Sequence, residues 1–498
     1  MNLRTLTTVA LLLSLLASGR LDSALSAAPD KPLNVVFFLV DDLGYMDVSP
    51  YNADTFYDTP SIQRLSQGAM RFTDGYAANP VCSPTRYSIQ TGRYPSRVNA
   101  TNYFSGSRAE RFRGAPLNDK MPLAETTIAE AFKKHGYATF FAGKWHLGET
   151  EDLWPEHQGY DINKGGWKRG GPYGGNKYFS PYGNPRLEDG PQGEHLPDRL
   201  ASETCDFIEA RKDEPFFAML AFYSVHTPLI GRPDLVEKYK EKREALGLAA
   251  LPKDKKFADE EQNFLTNSPR KTRIVQDHAV YAAMVEAMDL AVGKVLDKLE
   301  ETGLAERTAI VFMSDNGGLS TSEGSPTANF PLRAGKGWIF EGGIREPYMI
   351  RWPGVTKGEA TCGVPVTSTD FYPTLLDMAG LPLESRQHLD GVSLVPLLRG
   401  GDALEREAIY WHYPHYGNQG GPPAGAIRMD DWKLIERYED GRVHLYNLAA
   451  DISEQNDVAE QHPQRVNMMP QKLHDWYKQV DAKFLRAKEG SDEEPWRP

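Results

Sequence analysis

Short apolar runs, each closed by a polar, glycine-rich segment, recur along this chain and limit what it can fold into. Asn34–Val40 (NVVFFLV) is followed by Asp41-Asp42. Tyr137–Ala142 (YATFFA) leads into GKWHLG, Pro215–Ser224 (PFFAMLAFYS) into Val225-His226-Thr227-Pro228, and Thr308–Ser314 (TAIVFMS) into Asp315-Asn316-Gly317-Gly318. Continuous apolar runs of this length suit strands covered on both faces. Helical patterns lie between them, at Thr126–His135, Asp198–Lys212 and the long stretch Asp277–Gly303. In the last, Tyr281, Met284, Met288, Val292, Val295, Leu296 and Leu299 fall near one face, and Gly303 supplies a C-cap. Helix then strand, repeated, predicts an α/β fold with a large, mostly parallel sheet flanked by helices.

Such a sheet also says where function should sit. In open α/β sheets, sites form beyond the carboxyl ends of the strands. The polar residues that close the runs are therefore expected to converge on one crevice. After about residue 400 the texture changes to short alternating stretches and a last helical pattern, which predicts a smaller C-terminal α+β domain with a short antiparallel sheet over 401–498, following a larger domain over 29–400. The charged stretch Glu237–Arg273 reads as a surface insertion.

The first residues read as a signal peptide over 1–28. Arg4 gives the positive start, Leu6–Ala17 is apolar but too short to span a bilayer, and Ala24, Ser26 and Ala28 are small enough for a peptidase. This predicts an exported protein, periplasmic or extracellular, without stable membrane insertion. The net charge of −12 argues against a nucleic-acid partner and means that an anionic substrate must be met by a local concentration of Lys and Arg. Export permits disulfides, but there are only three cysteines; Cys205 and Cys362 could pair, which leaves Cys82 as the odd one.

The chemistry-bearing residues follow the strands. Asp41, Asp42 and Asp315 with the amide of Asn316 would repel one another in one crevice without a cation, and hard oxygen donors favour Ca²⁺ or Mg²⁺ over zinc. Taken alone, each acidic pair is also what a turn or helix cap looks like. Lys144 and His146 stand two apart in AGKWHLGE, His226 lies in SVHTP, and Lys336 sits between glycines that allow close approach to a ligand. Singly, each is equally a surface cation or a packed histidine.

The stretch CSPTRYSIQTGR from Cys82 resembles the signature of the type I sulfatases, C-x-P-[S/T/A/C]-R followed by x4-T-G-R, in the alkaline-phosphatase-like superfamily. GYATFFAGKWHLG resembles their second signature, and the strand-DD-x-G opening, HTP, DNGG and GKGxxxEGGIRxP match in the family's order from about Asn34 onwards. The resemblance implies that a maturase, reading Pro84 and Arg86, oxidises Cys82 to Cα-formylglycine, whose hydrate attacks sulfur to give a sulfo-enzyme intermediate. It implies Ca²⁺, with Mg²⁺ the lesser candidate, held by Asp41, Asp42, Asp315, Asn316 and the modified residue 82. It implies that Arg86 steadies the diol, Lys144 and Lys336 grip the sulfate, His146 takes the proton that releases sulfate, and His226 protonates the leaving alcohol. The expected activity is sulfuric ester hydrolysis, on a sulfated carbohydrate of galactose or N-acetylgalactosamine type.

For the sugar, Trp167, Lys168, Arg169, Tyr173 and Lys177 in the Gly- and aromatic-rich stretch 155–185 could form a subsite or an irregular surface loop, and His412 or His415 of WHYPHYGNQGG could reach the pocket from the C-terminal part. Two other functions share parts of this pattern: a formylglycine-dependent phosphonate or phosphodiester hydrolase, and a non-catalytic binder of sulfated glycans.

Overall fold

In the computed structural model, which describes residues 31–261 and 270–498, the four apolar runs lie side by side. The segment read as a signal peptide falls outside the described residues. The main sheet consists of β1 (Asn34–Val40), β2 (Ala69–Phe72), β3 (Ala138–Gly143), β4 (Ile162–Lys164), β5 (Phe216–Ala221), β6 (Thr308–Ser314), β7 (Tyr348–Arg351) and β8 (Thr361–Cys362). Its spatial order is β8-β2-β7-β6-β1-β5-β3-β4. The run from β6 to β4 is parallel, and β7 opposes both its neighbours.

Every residue of β1 is buried, because each face of the strand has its own core. Val36, Phe38 and Val40 pack with α4 (Leu196–Ala210) and α6 (Ala279–Glu301). Val35, Phe37 and Leu39 pack with α2 (Cys82–Thr91), α3 (Ile128–Lys134) and Phe371. Full burial of such a side chain contributes about 1.5–3 kcal/mol, and truncating Phe38 to Ala is expected to cost about 3–5 kcal/mol. The seven apolar positions expected on one face of α6 are all buried. That helix stops one residue before Gly303 would have to continue it, since Gly303 takes φ +70° as the left-handed residue after the cap. The charged stretch from Glu237 is not loose at its start: it continues α5 (Pro233–Ala245), whose Leu235 and Tyr239 are buried in the core shared with α6.

A second, antiparallel sheet follows the main one: β9 (Ile409–Tyr413), β10 (Ala424–Met429), β11 (Trp432–Arg437) and β12 (Val443–Asn447). Ile427, Leu434 and Leu445 lie under the terminal helix α7 (Pro463–Gln479), through Met469, Leu473 and Trp476. Trp411, Tyr413, Ala426 and Ile435 point the other way and pack on Tyr76, Val81, Trp338 and Phe340. That second contact brings the C-terminal sheet to the segments flanking Cys82 and Lys336. No helix among the described residues is long and apolar enough to cross a membrane.

Candidate active site

The parallel register sets the site. Val40 of β1 stands opposite Ser314 of β6, and Gly143 of β3 opposite Ala221 of β5. Pairing continues one step beyond the strands: Asp41 N–H donates to Ser224 O at 2.9 Å, Asp315 N–H to Val40 O at 3.0 Å and Lys144 N–H to Ala221 O at 2.7 Å. Asp41, Asp315 and Lys144 are thus delivered to one rim with no freedom of depth. Asp42 and His146 then take left-handed backbone, φ 61° and 59°. A non-glycine residue pays about 1–2 kcal/mol for that conformation, and such costs concentrate where a side chain must be aimed.

Asp41, Asp42, Lys144 and Asp315 are buried, so their charges must be matched locally. Lys144 Nζ lies 2.7 Å from both oxygens of Asp41, and Lys336 Nζ lies 2.7 and 2.9 Å from those of Asp42. Arg86 donates from Nε to Asp315 Oδ2 at 2.8 Å and from an Nη to Lys144 O at 2.7 Å. Asn316 Nδ2 donates to Asp42 Oδ1 at 2.9 Å. Burial works to raise Asp42, but Lys336, His226 and Lys144 outweigh it and hold the carboxyl below the ordinary range. Asp41 goes the other way: burial raises it well above that range, Lys144 offsets only part, and Asp315 and Asp42 add to the rise. Lys336 and His226 thus serve Asp42 more than Lys144 and Arg86 serve Asp41, and the two neighbouring carboxylates differ widely in acidity.

The donor set fits a hard divalent cation. Asp41, Asp42 and Cys82 can each bring one donor atom within 4.8 Å of the others. Asn316 Oδ1 is buried with no hydrogen-bond partner. Three carboxylates and an amide oxygen are the ligands calcium takes.

Cys82 opens α2 at the floor of a pocket of ≈ 430 Å³, which is lined also by His146, His226, Lys336, Tyr173 and Glu323. Burial pushes its thiol up to about 11, even with Lys144 and Lys336 nearby, so it carries almost no thiolate at neutral pH. His146 is held well below the usual imidazole range, by burial first and then by Lys144 and Arg86, and its Nδ1 has no partner. His226 is brought down to about 4, by burial and Lys336 against the pull of Asp42. Its Nδ1 lies 2.7 Å from Thr227 O, which fixes the tautomer with a proton there and leaves Nε2 bare, 3.8 Å from Asp42. The backbone around Lys336 is locked to that around Cys82: Gly337 N–H donates to Pro80 O at 2.8 Å, and a Cβ on Gly421 would meet Gly337 O at 1.9 Å.

Comparison with known proteins decides the family. The model described as "Sulfatase" matches residues 33–381, and one described as "N-sulphoglucosamine sulphohydrolase, C-terminal" matches residues 334–482. The chain belongs to the sulfatase family. A sulfatase of Formosa agariphila is 30% identical over 527 residues, covering 90% of this chain and 89% of that one. Human N-acetylgalactosamine-6-sulfatase is 30% identical, covering 78% of this chain and 69% of that one. The solved structure of Ps i-CgsB in complex with k-i-k-neocarrahexaose is 28% identical with a TM-score of 0.71, covering 90% of this chain and 93% of that one. The phosphonate monoester hydrolase of Agrobacterium radiobacter, 20% identical with a TM-score of 0.61, shares the fold.

The sulfatase therefore has the expected sheet, and all ten residues named from its motifs, Cys82, Arg86, Lys144, His146, His226, Lys336, Asp41, Asp42, Asp315 and Asn316, stand around one crevice. The outer shell differs from expectation. Lys168, Arg169 and Tyr173 line the pocket, whereas Trp167 faces a separate depression beside Asn184 and Lys177 lies on the surface. His412 and His415 do not reach it. His412 is buried against Lys483 O at 2.9 Å, and His415 bonds Thr101 Oγ1 at 2.8 Å, because β9 turns both into the interior. Asn418 and Gln419 of the same stretch reach the pocket instead. Cys205 and Cys362 are unpaired; the first bonds Lys294 O from α4 and the second ends the edge strand β8. Glu323 was not legible in the sequence: a lone Glu in TSEGSP carries no periodicity and follows no strand.

Proposed function

We propose that this sulfatase releases inorganic sulfate from a sulfated carbohydrate and that Cys82 is the precursor of a Cα-formylglycine nucleophile. One observation carries the reading: Cys82, at the start of α2, lines an open pocket with its thiol beside two buried carboxylates, and the buried oxygen of Asn316 next to them has no partner. A thiol is also a soft, poor ligand for the hard cation those oxygens fit, whereas a hydrated aldehyde in its place brings oxygen. Asp41, Asp42, Asp315 and Asn316 would hold Ca²⁺. When bound, the ion would make the hydrate more acidic and polarise a sulfate oxygen. Mg²⁺ suits the site less, since it demands a tight octahedron at about 2.0–2.1 Å.

The chain's own residues supply the rest. Lys144 and Lys336 bring positive charge to the floor where the sulfate group would sit, against the global negative charge. Arg86 fixes Asp315 and the Lys144 backbone, and so the geometry beneath residue 82. His146, neutral and with a free ring nitrogen, is suited to accept the proton that frees sulfate. His226 starts neutral as well. A sulfate ester beside it adds negative charge and raises its pKa, so the proton it gives the leaving alcohol would arrive with the substrate. Lys168, Arg169 and Tyr173 would form the sugar subsite. The carbohydrate assignment, with galactose or N-acetylgalactosamine type first, is supported by the similarity to human N-acetylgalactosamine-6-sulfatase and to the neocarrahexaose-bound structure. The reading includes export through the N-terminal segment and a formylglycine-generating maturase as partner.

The test is the mass of the tryptic peptide Phe72–Arg86 from protein co-expressed with a maturase, followed by sulfate release from a panel of sulfated sugars. Exchange of the sulfur for an aldehyde oxygen, with sulfate released, is expected. A peptide that stays a thiol beside an active maturase would sink the proposal. Aryl phosphodiester turnover exceeding that of aryl sulfate would move the assignment to phosphodiester chemistry.

A further inference from the structure

Glu323 is a carboxylate that the proposed reaction leaves unused. It stands in the loop between β6 and Lys336, is half-buried, and lines the same pocket as Cys82, His226 and Lys336. A pocket for a sulfate ester is weakened by negative charge in its wall, yet this one is fixed by three donors from two other segments. Its Oε1 accepts from the side-chain amides of Asn418 and Gln419, each at 2.9 Å, and its Oε2 accepts from Thr227 Oγ1 at 3.2 Å. Thr227 follows His226, while Asn418 and Gln419 come from the loop between β9 and β10. The backbone at Glu323 is left-handed, φ 53°, a conformation seldom kept by a residue with a long side chain.

The chemistry of that carboxylate is narrow. Burial works to raise it, but Lys336, His226 and the amide of Asn418 together outweigh burial, and it stays ionised. An ionised carboxylate only accepts hydrogen bonds, at about four positions, of which the three neighbours fill three. The open position lies on Oε2, the oxygen with the single long bond. A tie between loops would not need the charge, since a glutamine could accept from the same two amides. Besides Lys336, the pocket's cations are Lys168 and Arg169, which line it from the stretch after β4. Lys168 is only distantly paired, 3.8 Å from Glu149, and Arg169 lies 5.8 Å from the Trp167 ring centre.

We infer that Glu323 is a specificity-determining residue, which accepts a hydrogen bond from a neutral donor, a hydroxyl or amide N–H, on the sugar that carries the scissile sulfate, and which turns away sugars bearing a second sulfate at that position. The inference rests on the carbohydrate reading above. A sulfate offers only acceptors, so against Glu323 it finds repulsion and no bond.

The test compares matured wild type with Glu323→Gln on matched galactose- and N-acetylgalactosamine-type sugars that carry one sulfate or two on neighbouring carbons, by sulfate release. The ratio of kcat/KM for the disulfated to the monosulfated sugar is expected to rise about tenfold or more in the variant. A ratio within about twofold of the wild type, in a variant whose thermal midpoint shows it folded, overturns the inference and leaves Glu323 as a tie between loops. Should the glutamine variant not fold, Glu323→Asp decides. Drawing the carboxylate back by one methylene is expected to raise KM for the monosulfated sugar about tenfold with a smaller change in kcat; an unchanged KM overturns it. Wild type that cleaves an aryl sulfate but none of the sugars brings down the carbohydrate reading and this inference together. Wild type that cleaves the sugars, beside a variant of unaltered preference, brings down the inference alone.

Discussion

Two buried networks of charge stand close to each other in this molecule, built from the same residue types. One is the crevice of Asp41, Asp42, Asp315, Lys144, Lys336 and Arg86. The other lies at the seam between the two sheets. There Lys433 of β11 meets Glu341 at 3.0 Å and Glu454 at 2.8 Å, and Arg345 meets Glu341 at 3.1 Å and Asp74 at 2.9 Å. Arg428 meets Asp74 at 2.6 Å and also bonds Tyr76, whose hydroxyl donates to Glu341 at 2.8 Å. The seam closes on itself through ion pairs: Lys433 serves both glutamates, and Glu454 Oε2 also caps the backbone N–H of Glu341 at 2.6 Å. The crevice does not. Asn316 Oδ1 and His146 Nδ1 are buried without partners, and the network opens onto a pocket. Buried charge that is fully used is architecture; buried charge with donors and acceptors left over is a place for a ligand.

The contrast is broken most severely at Cys82. Cys82→Ala is expected to lower sulfate release more than about 10⁴-fold, because no other group in the pocket can become the nucleophile. The thermal midpoint should barely move, since the thiol holds nothing together. A variant with a tenth of wild-type activity would return the crevice to architecture. Lys433→Met does the reverse. It leaves Glu341 and Glu454 facing each other in the interior and should cost about 3–5 kcal/mol of stability, read as a lowered denaturation midpoint. The protein that remains folded should keep its KM for an aryl sulfate.

Chelation sharpens the same comparison. The crevice keeps a buried amide oxygen, Asn316 Oδ1, without a partner beside its carboxylates, so removing divalent ions should lower both activity and the thermal midpoint, and added Ca²⁺ should restore both. At about 100 times the dissociation constant the ion is worth about 2.7 kcal/mol. In Asp42→Asn that calcium-dependent shift should shrink, whereas in Lys433→Met it should persist on top of the lower baseline. Equal calcium shifts in wild type and Asp42→Asn would place the ion somewhere other than this crevice.

How much of this was readable from the chain alone follows the physics of each signal. The strands and α6 were, because burial on both faces or on one stripe writes a period into the residues. The ten core residues were, because each closes a strand or falls in a motif of fixed spacing. The seam was not: in WKLIER, Lys433 occupies a position that alternation reads as solvent-facing, and only the packing of Trp338 and Phe340 behind it puts it inside. His412 and His415 misled for the matching reason. Polar residues beside aromatics look like a subsite, but the register of β9 on β10 sets His412 against Gly425, turned away from the pocket. Glu323 has no sequence signal at all; only the meeting of three segments gives it meaning.

The smallest expected effect separates the networks by pH. Burial raises Glu454 to about 7 against the pull of Lys433, while its unfolded value is the ordinary 4.5. A carboxyl raised in the folded state favours folding below its unfolded value, and that contribution fades as pH climbs through the folded one. Between pH 6 and pH 8 the seam should therefore lose roughly 1 kcal/mol through this group. Glu454→Gln keeps an acceptor for the Glu341 N–H and removes the titration. Its midpoint should lie near that of the wild type at pH 6 and above it at pH 8. The calcium shift of the midpoint should be the same in both proteins at either pH, because Glu454 has no part in the crevice. A Gln variant that tracks the wild type from pH 6 to pH 8 would mean that Lys433 keeps both carboxylates ionised across that range, and that the seam holds no titrating group to set against the crevice.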